Sequence, residues 1–349
     1  MARLGLKDVA KALGVSESTV SLALNNRPNV KPETRKRVLE YVEQVGYAPH
    51  PMARGLAIQK TMTIGVVCPD TENPYYGSLI NHITDACEQY GYSLLLSLSG
   101  DDPKREATIL RSFIDRQVDG VVIMPINAAE NAHVDLNRFT EANIPFVFST
   151  SCYSGYDDDC VRGDYYRGAY GLTRWMLEHG HRSLWYLVTE DQRVPVAAER
   201  LRGYRDAFAD LRLPHDENWV VGCREISGES GARVATALLA ERDAPDGILA
   251  LNDYMAFGVV RAIRALGLKV PQDISVAGYD DVPFAEIAGV PLTTVRQNLD
   301  LIAIRSVERL MDKILGEPQP PKSELLIAPT LVIRETTRHH SLDLSEDRL

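Results

Sequence analysis

Residues 16–25, SESTVSLALN, hold the side chains whose types and spacing best suit a chemical task. Ser16 sits where a helix N-cap belongs, and Val20, Ala23 and Leu24 recur as the inward stripe of the helix that follows. Glu17, Ser18, Ser21, Leu22 and Asn25 are left facing outward, small or polar groups that suit a groove. Ahead of them Leu6, Val9, Ala10 and Leu13 form one apolar helical face, and Gly14 supplies a turn. Two short helices joined by a tight turn are the pattern whose second helix enters the DNA major groove. The same spacing fits a plain helical hairpin, so the pattern alone leaves both readings open.

Catalytic constellations fail on inspection. The chain has no GxSxG, HExxH, P-loop or GxGxxG. Asp280 and Asp281 are adjacent, so at a strand end their side chains point opposite ways and cannot flank one glycosidic bond. His179 and His181 have no cysteine or carboxylate nearby at ligand spacing, and no metal is expected. Cys68, Cys87, Cys152, Cys160 and Cys223 form no CxxC and fit reduced thiols in a cytoplasm.

Charge divides unevenly over the 349 residues, whose net charge is −10. Residues 1–60 hold ten Lys and Arg against five Asp and Glu, so a +5 head precedes a −15 body. A basic head aims at a polyanion, and an acidic body favours solubility. No run approaches the ~18 apolar residues of a membrane span. The first residues, MARLGLKDVA, lack an apolar export core, so a cytoplasmic location is expected.

The elements that must position these groups follow in order. A third helix opens at Pro32, turns Val38, Val42 and Val45 inward and ends at Gly46, its Arg35, Lys36 and Arg37 able to meet phosphates. Residues 47–61 are a bridge in which MARGLAI has room for about two helical turns, too short to hold in water without a partner. From Thr63 the rhythm becomes strand, helix, strand. TIGVVCP, YSLLLSLS, DGVVIMP and IPFVFST read as strands, with helices from about 75 and near 104–116 and 130–142. SLWYLVT, NWVVG, DGILALN and ISVAGYD begin a second series, with helices near 197–210, 229–240 and 254–266. Such alternation implies an α/β body with parallel sheets covered on both faces, and two series imply two doubly wound lobes. Ligands of such sheets bind beyond the carboxyl ends of the strands, so a site is expected between the lobes.

Several long blocks, in order, resemble the LacI/GalR family of bacterial transcription regulators: LKDVAKALGVSESTVSLALNN, ETRKRVLEYVEQVGY, MARGL, TIGVVCPDTENPYY, RQVDGVVIMP, ERLRGY, LNDYMAFGVVRAIRALGLKVPQDISVAGYDD and PLTTVRQ. The resemblance spans residues 4–337. It implies a three-helix helix-turn-helix head at 1–48, a hinge helix and linker at 49–61, and a two-lobed periplasmic-binding-protein-like body at 62–338. Lobe 1 is expected at about 62–178 and 295–326, lobe 2 at about 179–294 and 327–338, with a frayed tail at 339–349. It also implies a homodimer or tetramer on a palindromic double-stranded operator, controlled by a small effector, most often a sugar.

Carried over position by position, the resemblance makes Glu17, Ser18 and Leu22 the readers of base edges. Ser16, Thr19, Ser21 and Asn25 brace the helix or meet phosphates, and Leu6 and Asn29 join the DNA face. Leu22 departs from the arginine most members carry, a donor pair suited to guanine; leucine offers only apolar contact, so the operator is expected to differ. In the hinge, Leu56 is the wedge between central base pairs, with Ala53 and Arg54 beside it. His50 and Gly55 replace the usual asparagine and serine, which weakens the free hinge helix.

The same carry-over assigns an effector site to Asp70, Asn73, Tyr75, Arg167, Arg200, Ile226, Asn252, Asp253, Asp280 and Gln297. Carboxylate, amide and guanidinium groups beside an aromatic ring suit a polyol, with Arg200 as a bidentate donor. Arg167 keeps an anionic effector such as a sugar phosphate open, and Ile226 replaces a ring that often stacks. The expected function is a dimeric repressor of a carbohydrate-use operon, without catalysis or cofactor. A solute-binding receptor of the same lobed fold is the rival class, and it would need export and no basic head.

Overall fold

The computed structural model describes residues 5–24, 29–46, 60–100, 102–126, 135–153, 159–191, 194–318 and 324–338. Asn25, the tail and the hinge residues His50, Ala53, Arg54, Gly55 and Leu56 lie outside them. Two compact units divide after Met62.

The first unit is three helices around a small aliphatic core. Helix α1 (Leu6–Leu13) stops because Gly14 takes the left-handed conformation, φ 66°, which closes the turn at no side-chain cost. Helix α2 (Glu17–Leu24) is capped by Ser16, whose Oγ accepts the Thr19 amide at 3.1 Å. Helix α3 (Pro32–Gln44) opens on a proline, where the missing N–H is no loss. Val9, Ala10, Val20, Ala23, Val30 and Val38 are buried together. Leu6 and Leu22, expected to face DNA, are half-buried and pack against this core. A core this small leaves flank positions of each helix in contact with its neighbours.

The second unit holds two parallel sheets. In the first, β1 (Thr63–Cys68), helix α4 (Pro74–Gln89), β2 (Ser93–Leu98), helix α5 (Pro103–Asp115), β3 (Gly120–Ile123), helix α6 (Asn137–Glu141), β4 (Phe146–Ser149) and β5 (Cys160–Gly163) alternate. Of the helix expected near 130–142, only α6 falls within the described residues. Helix α7 (Tyr165–Glu178) then leads to β6 (Leu184–Thr189), α8 (Pro195–Asp210), β7 (Val220–Cys223), α9 (Gly228–Glu241), β8 (Gly247–Ala250), α10 (Asp253–Ala265), β9 (Ser275–Ala277) and the short α11 (Phe284–Ile287). The chain closes with β10 (Thr294–Arg296), α12 (Leu299–Leu315), β11 (Glu324–Ile327) and β12 (Thr330–Val332).

The strand orders are β11-β5-β4-β3-β1-β2 and β7-β6-β8-β9, while β10 and β12 pair antiparallel. Residues of β3, β4 and β5 are buried throughout, because helices cover both faces of a parallel sheet. The edge strands β2, β7 and β11 are more exposed. On helix α10, Gly258 lets the backbone of α9 come close: a Cβ there would lie 1.8 Å from the Gly228 carbonyl oxygen.

The packing moves one expected boundary. Tyr165, Leu172 and Met176 of α7 pack with Tyr186 of β6 and Leu201 and Tyr204 of α8, so α7 belongs to the second sheet. The first crossover therefore falls at about residue 164, not at 178. Strand β5 and helix α7 carry no hydropathy break that marks the change of sheet; only the packing places it. Helix α12 packs on β3, β4 and β5, and β11 joins the first sheet beside β5.

Candidate functional site

On the head, the start of α2 is the exposed polar face. Glu17 and Ser18 are exposed, Thr19 and Ser21 half-buried, and Asn29 exposed beyond the helix. The Ser16 hydroxyl lies 2.7 Å from Ser18 Oγ and 2.8 Å from Thr19 Oγ1, so three hydroxyls converge on the cap. Arg37 of α3 donates to the Leu13 carbonyl at 3.4 Å, an orphan acceptor at the end of α1.

In the body, a cavity of about 580 Å³ opens at the carboxyl ends of the strands of both sheets. Pro69 and Asp70 follow β1, Ile126 follows β3, and Thr150 follows β4. From the second sheet come Thr189 at the end of β6, Arg224 to Ser227 after β7, Leu251 and Asn252 after β8, and Asp280 after β9. Its size is that of a small-molecule site.

Arg200 of α8 is the cavity's central cation. Its guanidinium donates to the Leu251 carbonyl and lies 3.7 Å from Asp280 Oδ1, both side chains almost fully buried. The Tyr279 ring centroid is 3.8 Å from its Cζ and that of Tyr165 is 4.8 Å away, two cation–π contacts from rings tilted 43° to one another. Burial opposes its charge, but Tyr279 and Asp280 hold its proton more firmly than usual. Arg200 Nε has no hydrogen-bond partner among the described residues.

Asp280 stands on strained backbone, φ 114°, a conformation that side chains other than glycine rarely adopt. Burial pushes its carboxyl up to about 6, against the pull of Arg200 and of the Gln297 amide, which donates at 2.7 Å. Gln297 Oε1 is buried without a hydrogen-bond partner among the described residues. These unpartnered atoms on a walled cavity are groups whose hydrogen bonds a polar ligand would complete.

Asp281 turns the other way, as adjacency requires. It accepts from Arg296 at 2.7 Å and Arg334 at 2.6 Å, a structural pair of bonds.

Eight of the ten expected effector residues line the cavity: Asp70, Asn73, Tyr75, Arg200, Ile226, Asn252, Asp280 and Gln297. Asn73 and Asn252 also cap helices, accepting from the Tyr75 and Met255 amides. Asp253 does not reach the cavity. It is fully buried and accepts from the Thr294 hydroxyl and the Val282 amide, which holds the turn that carries Asp280. Burial, then the neighbouring Asp280, raises its carboxyl pKa well above the ordinary value. Arg167 is exposed in the first turn of α7 and is not on the cavity wall. It lies two residues beyond the wall residue Tyr165, and at about 100° per residue the two side chains leave the helix on nearly opposite sides.

Tyr76, Thr150, Tyr165, Thr189, Tyr254 and Ser227 also line the cavity and were not anticipated. Thr150 and Thr189 were legible: each closes a strand that the sequence marks, at the end where ligands bind. Tyr165 was not, because the four-residue β5 before it has no distinctive pattern.

Comparison with known proteins bears on both parts. Residues 5–50 match the model described as bacterial regulatory proteins, lacI family, and residues 173–337 match a periplasmic binding protein-like domain. The catabolite control protein A of Priestia megaterium is 33% identical over 309 residues, 88% of this chain and 92% of that protein. The lac repressor dimer bound to operator and the anti-inducer ONPF superposes with a TM-score of 0.84, at 27% identity over 96% of this chain and 99% of that one. The transcriptional regulator CelR in complex with cellobiose gives 0.70 at 28% identity, over 96% and 100%.

Proposed function

We propose, for a chain that belongs to the lacI family of bacterial regulatory proteins, a repressor that binds a palindromic operator as a homodimer and releases or tightens it in response to a small polyol. The observation that carries this is the joining of a head with a capped second helix to a body with a polar cavity built around Arg200 and Asp280. Each part is ordinary by itself; together in one chain they couple DNA recognition to a ligand. The relatives are regulators rather than enzymes, and the cavity's paired, buried carboxylate suits binding. The protein works in the cytoplasm, where operators are.

In this reading Glu17, Ser18 and the exposed part of Leu22 meet base edges, with Ser16, Thr19, Ser21, Asn25 and Asn29 on the backbone. Leu56 wedges the centre of the site, flanked by Ala53 and Arg54. The effector is held by Arg200, Asp280, Asn252, Gln297, Asp70 and Asn73, with Tyr75 and Tyr165 as ring surfaces.

The cavity favours an uncharged ligand over a sugar phosphate. Among the described residues its cations already face carboxylates, Arg200 with Asp280 and Arg224 with Glu190 at 3.4 Å. Asp70, Glu72 and Glu225 add negative charge to the wall. Arg167, the group that kept an anion open, lies elsewhere. Lobe closure around the polyol shifts the equilibrium between two dimer arrangements, and the effector changes operator affinity by the same factor as operator changes effector affinity.

The test is selection of bound duplexes from a random pool with full-length protein, alone and with neutral sugars or their phosphates. The expected result is an enriched palindrome with a central pyrimidine–purine step, whose recovery changes with a neutral sugar. Enrichment of no palindrome under any condition overturns the reading, and a response confined to sugar phosphates overturns its polyol half.

A further inference from the structure

Among the described residues outside the cavity wall and the head, one cluster of reactive side chains stands out. Cys152 follows β4 by three residues and Cys160 opens β5, which pairs with β4 through Phe148 and Cys160. The two sulfurs and a carboxylate oxygen of Glu324 lie within 4.8 Å of one another. Cys160 is buried, whereas Cys152 is half-exposed. One thiol is thus open to a small reagent while the other waits behind it.

We infer that Cys152 and Cys160 are a redox pair, which a hydroperoxide closes to a reversible disulfide.

The surroundings divide the roles. The Cys160 thiol donates toward Cys152, which lowers the Cys152 pKa and raises that of Cys160, with burial adding to the rise. Burial and the Glu324 and Glu199 carboxylates oppose a Cys152 thiolate and Arg162 favours it, but the hydrogen bond from Cys160 outweighs them. Cys152 is therefore the attacking sulfur and Cys160 the resolving one. The Cys152 thiolate attacks one peroxide oxygen; an S–O bond forms, the O–O bond breaks, and the departing oxygen takes a proton to leave as an alcohol, or as water from hydrogen peroxide. The Cys160 sulfur then attacks the Cys152 sulfur of the sulfenic acid. An S–S bond forms, the S–O bond breaks, and the hydroxyl leaves as water with the Cys160 proton. Two electrons pass from the sulfurs to the peroxide.

A metal fits the same cluster less well. Glu324 is engaged by the Arg162 Nε, and the other guanidinium nitrogens of Arg162 hold Glu199 at 2.7 and 2.8 Å. A divalent ion would take the carboxylate from its partner and sit beside a guanidinium, with three ligands where structural zinc takes four.

The pair also adjoins the cavity. Thr150, two residues before Cys152, lines it, and the Thr150 carbonyl accepts from the Tyr165 hydroxyl at 2.7 Å. Thr150 sits at φ 73°, so the turn that leads to Cys152 is already strained. The proposal does not depend on which effector the cavity takes.

The test uses full-length protein exposed to a small molar excess of hydrogen peroxide, quenched, alkylated and cut with trypsin. Cleavage after Arg138 and Arg162 puts both cysteines on one peptide, 139–162, and leaves Cys68, Cys87 and Cys223 on others. The expected product is that peptide lighter by two hydrogens and unalkylated, with both thiols restored by dithiothreitol. In Cys160→Ala the oxidation stops at a Cys152 sulfenic acid, trapped by dimedone. In Cys152→Ser the peptide survives the same exposure unchanged. The inference is overturned if the wild-type peptide keeps two alkylatable thiols, if it gains oxygen without losing hydrogens, or if zinc carried through purification holds both thiols.

Discussion

Replacing Arg200 by methionine keeps most of the side-chain volume and removes the charge, which leaves Asp280 buried with only the Gln297 amide beside it. Breaking one half of a buried ion pair costs about 3–5 kcal/mol. At ~2–4 °C per kcal/mol for a domain of this size, the body should melt roughly 6–20 °C lower at pH 8. The loss depends on pH in a fixed direction. The Asp280 pKa in the folded protein, about 6, stands above its ordinary 3.8. The folded state therefore binds this proton more tightly than the unfolded chain. The stability gained is full below about pH 4 and fades as the pH rises through 6. Without Arg200, which lowers the pKa, the protonated range extends upward, so Arg200→Met should be less destabilising at pH 5 than at pH 8. Adding Asp280→Asn removes the stranded charge and should recover most of the melting temperature at pH 8, yet not the response to sugar. Calorimetric scans at both pH values, with operator binding titrated against the sugar, measure all of this. A single variant that melts with the parent at pH 8, or a double variant less stable than the single, refutes the ion-pair argument.

Four further outcomes follow from the geometry. Gly258→Ala drives a methyl into the Gly228 carbonyl and should cost about 3 kcal/mol or more in denaturant unfolding. Gly171→Ala, in the interior of α7 with nothing within 4 Å of the new Cβ, should instead stabilise by about 0.5–1 kcal/mol; equal effects at the two sites would count against the close approach. Ser16→Ala removes the cap of α2 at a cost of about 1 kcal/mol, to be read as weaker operator binding with the body's melting unchanged. Leu22→Arg should move the selected half-site toward guanine at one position, and an unmoved preference would clear Leu22 of any part in operator choice.

Periodicity and turn residues alone determined much of this protein. Gly14 ending one helix, Ser16 beginning the next, and the apolar runs from Thr63 onward as strands buried between helices were all legible, because local backbone sterics and the burial of regular faces act over a few residues. The rule that ligands bind at strand carboxyl ends then implied a site between the lobes, and the family resemblance named Asp70, Asn252 and Asp280 for it before any coordinates. Other features depend on residues far apart in the chain. Arg200 meets Asp280 across 80 positions, and α7 joins the second sheet because Tyr165, Leu172 and Met176 find Tyr186 and Tyr204 there. Asp253 has the same composition and strand-end setting as Asp280, but its oxygens are taken by Val282 and Thr294, and Arg167 points away from a cavity that its neighbour Tyr165 lines. Residue type limits what a side chain can do; which partner reaches it first is decided by packing, and only the tertiary structure holds that answer.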